Sequence, residues 1–211
     1  MFKDRIDAAL QLAEKLETFK GKDIVVLAIP KGGIPVGAII ARTLKAPLDV
    51  VLSKKIGHPF NKEYAIGAVS LEGMVLNEHL DIPQKYIMEE TENIRSKLQK
   101  RYDLYHKDRP PIALHGKTII IVDDGVATGN TLKVTAELVH GQHPKKTIVA
   151  IPIAPFGAIQ NLEDSKFIDE VICLETPHNF RAVGQFYTEF DQVSEAEAIQ
   201  LLEELNGVVD Q

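Results

Sequence analysis

Residues 118–131 read TIIIVDDGVATGNT and leave little freedom over what this chain can become. Ile119-Ile120-Ile121-Val122 is a run of four β-branched apolar residues without alternation. Such a run fits a strand buried on both faces of a parallel sheet. Asp123 and Asp124 follow at the strand's carboxyl end. A loop of mostly small residues comes next, Gly125-Val126-Ala127-Thr128-Gly129-Asn130-Thr131, and then a helical pattern from Leu132 to His140. Open α/β sheets bind ligands just outside the carboxyl ends of their strands. A glycine-containing turn at a helix N-terminus presents free N–H groups and the positive dipole end, which suit a phosphate. Paired acids beside it can hold sugar hydroxyls or a divalent cation. The stretch therefore predicts a sugar-phosphate site. An ordinary strand followed by a plain turn would not call for Asp123, Asp124, Thr128 and Thr131 together. No Lys-Ser/Thr pair follows Gly129, so this is not a Walker A loop, and the chain has no G-x-G-x-x-G.

The rest of the chain repeats the same unit. Phe2, Ile6, Ala9, Leu10, Ala13 and Leu16 recur at helical spacing, and Lys20-Gly21 ends that helix. Asp23 to Ile29 reads as a buried strand that runs into Pro30-Lys31-Gly32-Gly33 and a helix from Pro35 to Leu44. Adjacent glycines let backbone approach a ligand, and Lys31 supplies a point charge for phosphate. Leu48 to Ser53 reads as a strand, followed by a basic, mobile loop over 54–64 and a hairpin of 65–70 with 74–76. A charged helix over 84–107 has Tyr86, Ile87, Ile94, Leu98 and Leu104 as its apolar side and ends before Pro110-Pro111. Thr147 to Ile153 and Glu170 to Leu174 read as two more strands, separated by a short helix from Ala158 to Leu162. His140 and His143 read as loop residues without a third metal ligand nearby. Aromatic residues crowd 176–190, and Ser194 to Glu197 resembles a capping box that opens a helix from Glu195 to Leu205. This β-α alternation predicts an α/β fold, an open parallel sheet with helices on both faces.

Composition narrows the function. A net charge of -6 gives a nucleic-acid partner no general electrostatic support. One cysteine, Cys173, excludes an intrachain disulfide and suits a reducing, cytoplasmic setting, with a small core residue as its expected role. The first residues are amphipathic and charged, unlike a signal peptide. No apolar run reaches the length of a membrane span.

The hydrophobic strand, the two acids and the closing Thr-Gly-x-Thr resemble the phosphoribosyl-pyrophosphate signature of type I phosphoribosyltransferases. With the turn at 30–33, the basic stretch before Ala65-Ile66-Gly67-Ala68-Val69, and Phe180-Arg181-Ala182-Val183-Gly184-Gln185-Phe186-Tyr187, the resemblance covers most of the chain and points to a bacterial branch of that family. It implies one phosphoribosyltransferase domain over 1–211. The core would be about 22–175, and a small hood would form from the N-terminal segment and 176–211. It implies transfer of ribose-5-phosphate from phosphoribosyl pyrophosphate to a small-molecule acceptor such as a nitrogenous base, with release of pyrophosphate.

The resemblance also implies roles. Thr128, Gly129, Asn130 and Thr131, with backbone N–H groups from Ala127 onward, would bind the 5-phosphate, Gly125 and Val126 would be substrate-binding too, and Asp123 and Asp124 would hold the ribose hydroxyls. Lys31, Gly32 and Gly33 would bind pyrophosphate, at a turn where the family often has a non-proline cis peptide. Lys54 and Lys55 would neutralise pyrophosphate from a closing loop, with His58 and Glu63 as weaker candidates. Phe180 or Tyr187 would stack on a flat acceptor. Mg²⁺ would arrive through the substrate, without direct protein ligands, and a homodimer is the expected assembly. Two departures weaken a hypoxanthine or guanine acceptor: Ala127 stands where such members carry an acid, and Ile153-Ala154-Pro155 stands where they carry a base-reading lysine. The alternative is a regulator of the same fold that binds a nucleotide or phosphoribosyl pyrophosphate without turnover.

Overall fold

The computed structural model describes residues 1–77, 81–106 and 110–206. Its central sheet has five parallel strands. They are β1 (Ile24–Ala28), β2 (Leu48–Val50), β6 (Thr118–Val122), β7 (Lys146–Ile153) and β8 (Glu170–Glu175), in the order β2-β1-β6-β7-β8. Three further strands, β3 (Ser53–His58), β4 (Asn61–Ser70) and β5 (Met74–Leu76), form a separate antiparallel sheet. The helices are α1 (Arg5–Lys15), α2 (Gly33–Leu44), α3 (Gln84–His106), α4 (Asn130–His140), α5 (Phe156–Glu163) and α6 (Glu195–Asn206).

The unalternated apolar strands are buried on both sides, as a parallel sheet requires. Val26, Ala28, Ile120 and Val122 pack with α1, α2 and α6 on one face. Val25, Leu27, Ile119 and Ile121 pack with α4 and α5 on the other. Right-handed crossovers make this division. From β1 the chain crosses through α2 to β2 on one side, whereas from β6 it crosses through α4 to β7 on the other. Strand order thus reverses between β1 and β6, which pair from Ile24↔Thr118 to Ala28↔Val122. A crevice opens at such a switch point because the two following connections diverge.

Several expectations need correction. The stretch 54–64 is not a loop: residues 54–58 belong to β3, and β4 begins at Asn61. Its polar letters are the outward half of a strand pair whose register shifts twice, between Ile56 and Gly57 and between Gly57 and His58. Ile56 and Ile66 are fully buried, and the Tyr86 hydroxyl of α3 donates to the Gly57 carbonyl at 2.6 Å. The hairpin expected from 65–70 and 74–76 is the second turn of this sheet, β4 with β5. Strand β2 stops at Val50, before the expected Ser53, and α2 starts at Gly33, before the expected Pro35. On α1, Ile6 and Leu10 are exposed, and Ala8, Ala9, Leu12 and Ala13 form the buried side. Leu104 of α3 is exposed, and Tyr105 takes the inward position. His140 is the last residue of α4 and not a loop residue. Cys173 lies half-buried on β8, where burial raises its thiol pKa.

Replacing Ile56 by Ala should destabilise the protein by about 2–5 kcal/mol in urea denaturation, the usual cost of emptying a buried aliphatic position. A mobile loop at 54–64 would give a change near zero.

Candidate functional site

Adjacency of β1 and β6 brings the two sequence-predicted turns into contact. The Ile29 N–H donates to the Val122 carbonyl at 3.0 Å, so the chain enters residues 30–33 beside Asp123 and Asp124. The Pro30–Lys31 peptide is cis. Gly32 and Gly33 allow the approach that follows. A Cβ on Gly32 would lie 2.2 Å from Asp124 Oδ2, and one on Gly33 would lie 2.7 Å from the Val122 carbonyl oxygen. Neither position has room for a side chain while the acids stay where they are.

The two acids are held differently. Asp123 Oδ1 accepts the Asp124 backbone N–H at 2.9 Å. Burial, then the neighbouring charge of Asp124, pushes the Asp123 carboxyl well above its ordinary pKa. Asp124 forms an ion pair instead: Arg5 Nε donates to its Oδ2 at 2.7 Å. The Tyr187 hydroxyl donates to the Asp124 carbonyl at 2.6 Å. Burial, aided by Asp124, raises the Tyr187 pKa far enough to keep that hydroxyl protonated.

Beyond the acids, the loop passes through Gly125 at φ 147°, a conformation side chains rarely adopt. Val126 donates its N–H to the Ile153 carbonyl at 3.1 Å, tying the loop to the end of β7. Ala127, Thr128, Asn130 and Thr131 are exposed. Helix α4 starts at Asn130, whose N–H donates to Thr128 Oγ1 at 3.4 Å, and its N-cap Gly129 has no side chain to cap the N–H groups that follow, which suit an anion. Asn161 of α5 braces this loop. Its Nδ2 donates to the Thr128 carbonyl at 2.9 Å and to Asn130 Oδ1 at 3.0 Å, and Lys133 Nζ donates to Asn161 Oδ1 at 3.2 Å.

A cleft of about 450 Å³ lies beside this arrangement, lined by Lys31, Gly32 and Asp124 of the core and by Arg5, Val183 and Phe190 among others. Lys54 and Lys55 stand exposed on β3, and neither lines it. His58 packs near Phe60 and Tyr64, also away from it. The Glu63 side chain lies outside the described residues. Phe180 stacks on Phe186 at 5.6 Å, within a cluster built on Phe2, Ala8, Ile153 and Tyr187. Phe190 contributes the aromatic wall. Arg5, Asn161 and Phe190 escaped the sequence reading. Arg5 and Asn161 lie in segments that read as helix with no chemistry assigned, and Phe190 is one of several aromatic residues in 176–190.

The sequence profile of the phosphoribosyl transferase domain matches residues 3–191, and the chain belongs to that family. A curated Mycobacterium tuberculosis protein, whose name gives phosphoribosyl transferase activity as provisional, is 40% identical over 210 residues. That match covers 96% of this chain and 46% of the relative, so the chain spans about half the relative's length. A Thermus thermophilus protein of known crystal structure superposes with a TM-score of 0.86 at 36% identity, over 97% of this chain and 98% of the other. A Neisseria gonorrhoeae protein crystallised with bound ppGpp shares the fold at a TM-score of 0.50 and 15% identity, over 97% and 98% of the two chains. The five-stranded parallel sheet flanked by helices is the type I phosphoribosyltransferase fold.

The raised pKa of Asp123 has a sign. A carboxyl whose folded pKa exceeds its unfolded value of about 4 costs no stability below pH 4 and progressively more as pH rises toward the folded pKa. Asp123→Asn should therefore raise the Tm at pH 7, with the gain shrinking below pH 4. A Tm unchanged or lowered at pH 7 would contradict the burial argument.

Proposed function

We propose that this protein transfers the ribose-5-phosphate group of phosphoribosyl pyrophosphate to a small-molecule acceptor, releasing pyrophosphate. One observation carries the reading. The acids Asp123 and Asp124, the turn at 30–33 and the start of α4 meet at the switch point between β1 and β6. Each suits a different part of that donor.

The loop from Ala127 to Thr131 and the first N–H groups of α4 bind the 5-phosphate. Asp123 and Asp124 take the ribose hydroxyls. Lys31, with the backbone of Gly32 and Gly33, takes pyrophosphate. The C1–oxygen bond to pyrophosphate breaks, a bond from C1 to the acceptor nucleophile forms, and the transition state has oxocarbenium character. Such a step depends on positioning and on charge neutralisation more than on a covalent nucleophile. The residues present fit Mg²⁺ that arrives on the substrate. They are hard oxygen donors, but among the described residues no group of three His, Cys, Asp or Glu side chains could hold an ion alone. When bound, the ion would neutralise charge developing on pyrophosphate. The acceptor would enter between the core and a hood formed by the N-terminal segment and 176–206. A nitrogenous base suits the cleft's mixed walls, Val183 and Phe190 against Lys31 and Asp124. A homodimer in the cytoplasm, without nucleic-acid or membrane partners, goes with this reading.

A second reading has one observation in its favour. Lys54 and Lys55, the cations expected over pyrophosphate, stand on β3 outside the cleft. A regulator that binds the same ligand without turnover would need no such closure. If the hairpin swings inward when ligand binds, Lys54 and Lys55 complete the site and exclude water.

Acceptor-stimulated pyrophosphate release across a panel of bases separates the two. Stimulation by one class, abolished in Asp123→Asn/Asp124→Asn, is the expected result. Saturable binding of phosphoribosyl pyrophosphate with no release for any acceptor would support the regulator.

A further inference from the structure

Arg5 is tied to the site by more contacts than a covering helix needs. It opens α1, whose start is fixed because Asp4 Oδ1 accepts the Asp7 N–H at 2.8 Å. Its guanidinium carbon lies 3.9 Å from the centroid of the Phe190 ring. Its Nη1 donates to the Asp191 carbonyl at 2.7 Å, and its Nε to Asp124 Oδ2 at 2.7 Å. The planar fork is therefore fixed by two acceptors and one ring, the geometry in which arginine and lysine are least interchangeable. Both partners of the ion pair are shielded, with side-chain exposures of 13% and 12%. Shielding strengthens the attraction and makes the loss of either partner costly.

The pair also divides the carboxylate. Oδ2 goes to Arg5, and among the described residues the Asp124 carboxyl is otherwise hydrogen-bonded only by the carboxyl of its neighbour Asp123. Asp124 still lines the cleft. One oxygen is anchored and the other is left for a ligand hydroxyl. Arg5 itself is carried by a clasp between the N-terminal residues and 186–189. Phe2 donates its N–H to the Phe186 carbonyl at 2.8 Å and accepts from the Thr188 N–H at 2.9 Å, and Glu189 donates to the Lys3 carbonyl at 2.8 Å.

We propose that Arg5 is a positioning residue for phosphoribosyl transfer: it holds the Asp124 carboxylate oriented so that Oδ1 receives a ribose hydroxyl. The inference rests on the sugar-phosphate reading of the site. It makes the N-terminal segment part of the donor-binding machinery, through Asp124 and not by touching the donor.

The test is calorimetric titration of phosphoribosyl pyrophosphate with Mg²⁺ into the full chain and its Arg5→Gln, Arg5→Lys, Asp124→Asn and Arg5→Gln/Asp124→Asn variants. Removing an outer partner of a ligating group commonly weakens binding about 10–100-fold, and that is the loss expected for Arg5→Gln. Arg5→Lys should fall between it and the unaltered protein, because the charge is kept and the fork is lost. In the Asp124→Asn background, Arg5→Gln should add no further loss. Equal losses in both backgrounds would overturn the proposal, since Arg5 would then act on the ligand or the fold directly. Binding by Arg5→Gln equal to the unaltered protein would also overturn it, while leaving the site reading intact. No binding by the unaltered protein would remove the site reading and this inference with it. Should Arg5→Gln fail to fold, Arg5→Lys alone and with Asp124→Asn gives the same comparison.

Discussion

Asp124 carries a carboxylate at a place where three separate parts of the chain meet. Its Oδ2 pairs with Arg5 from the start of the chain, its carbonyl accepts from Tyr187 in the tail, and its carboxyl leaves space for no side chain on Gly32. Remove that carboxylate and a shielded guanidinium loses its counter-charge and the turn at 30–33 loses its neighbour, while the Tyr187 bond to the main-chain carbonyl stays. A shielded ion pair is not by itself a large source of stability, because desolvation offsets much of the attraction. Its effect here is specificity of arrangement: one orientation of the carboxylate both pairs with Arg5 and fits against Gly32.

The sheet makes that meeting possible. Reversal of strand order between β1 and β6 puts two βα turns side by side and sends their helices to opposite faces. Each turn then faces the same crevice, one through a cis peptide and two glycines, the other through two acids and the start of α4. Burial explains the chemistry that results. Asp123, shielded and beside a second acid, is pushed toward its neutral form, while Asp124 is compensated by Arg5. Two adjacent carboxyls thus receive different electrostatic environments, a common route to different roles.

Local patterns made the core legible before any coordinates. Unalternated, β-branched Ile119 to Val122 fits an interior strand, and the acids and glycines after it mark the crevice. The stretch 54–64 reads as a loop because Lys54, Lys55 and Asn61 dominate the letters, while the bulged register near Gly57 breaks the alternation that marks a strand. Arg5 was invisible for another reason. Its partner is 119 residues away, and nothing in MFKDRIDAAL distinguishes a solvated arginine from one aimed at an acid. Phe190 likewise declares itself only through Arg5 and the cleft. Contacts made across the fold have no local signature, and the hood residues are all of that kind.

The most direct measurement is a crystal structure of the protein with phosphoribosyl pyrophosphate and Mg²⁺. The account predicts the 5-phosphate against the backbone of 127–131 at the start of α4, the ribose hydroxyls on Asp123 and Asp124 Oδ1, and pyrophosphate on the 31–33 turn. The Arg5–Asp124 pair should persist in the complex. Electron density for the sugar phosphate elsewhere, or an Asp124 carboxylate that turns away from the ribose to keep Arg5, would contradict it.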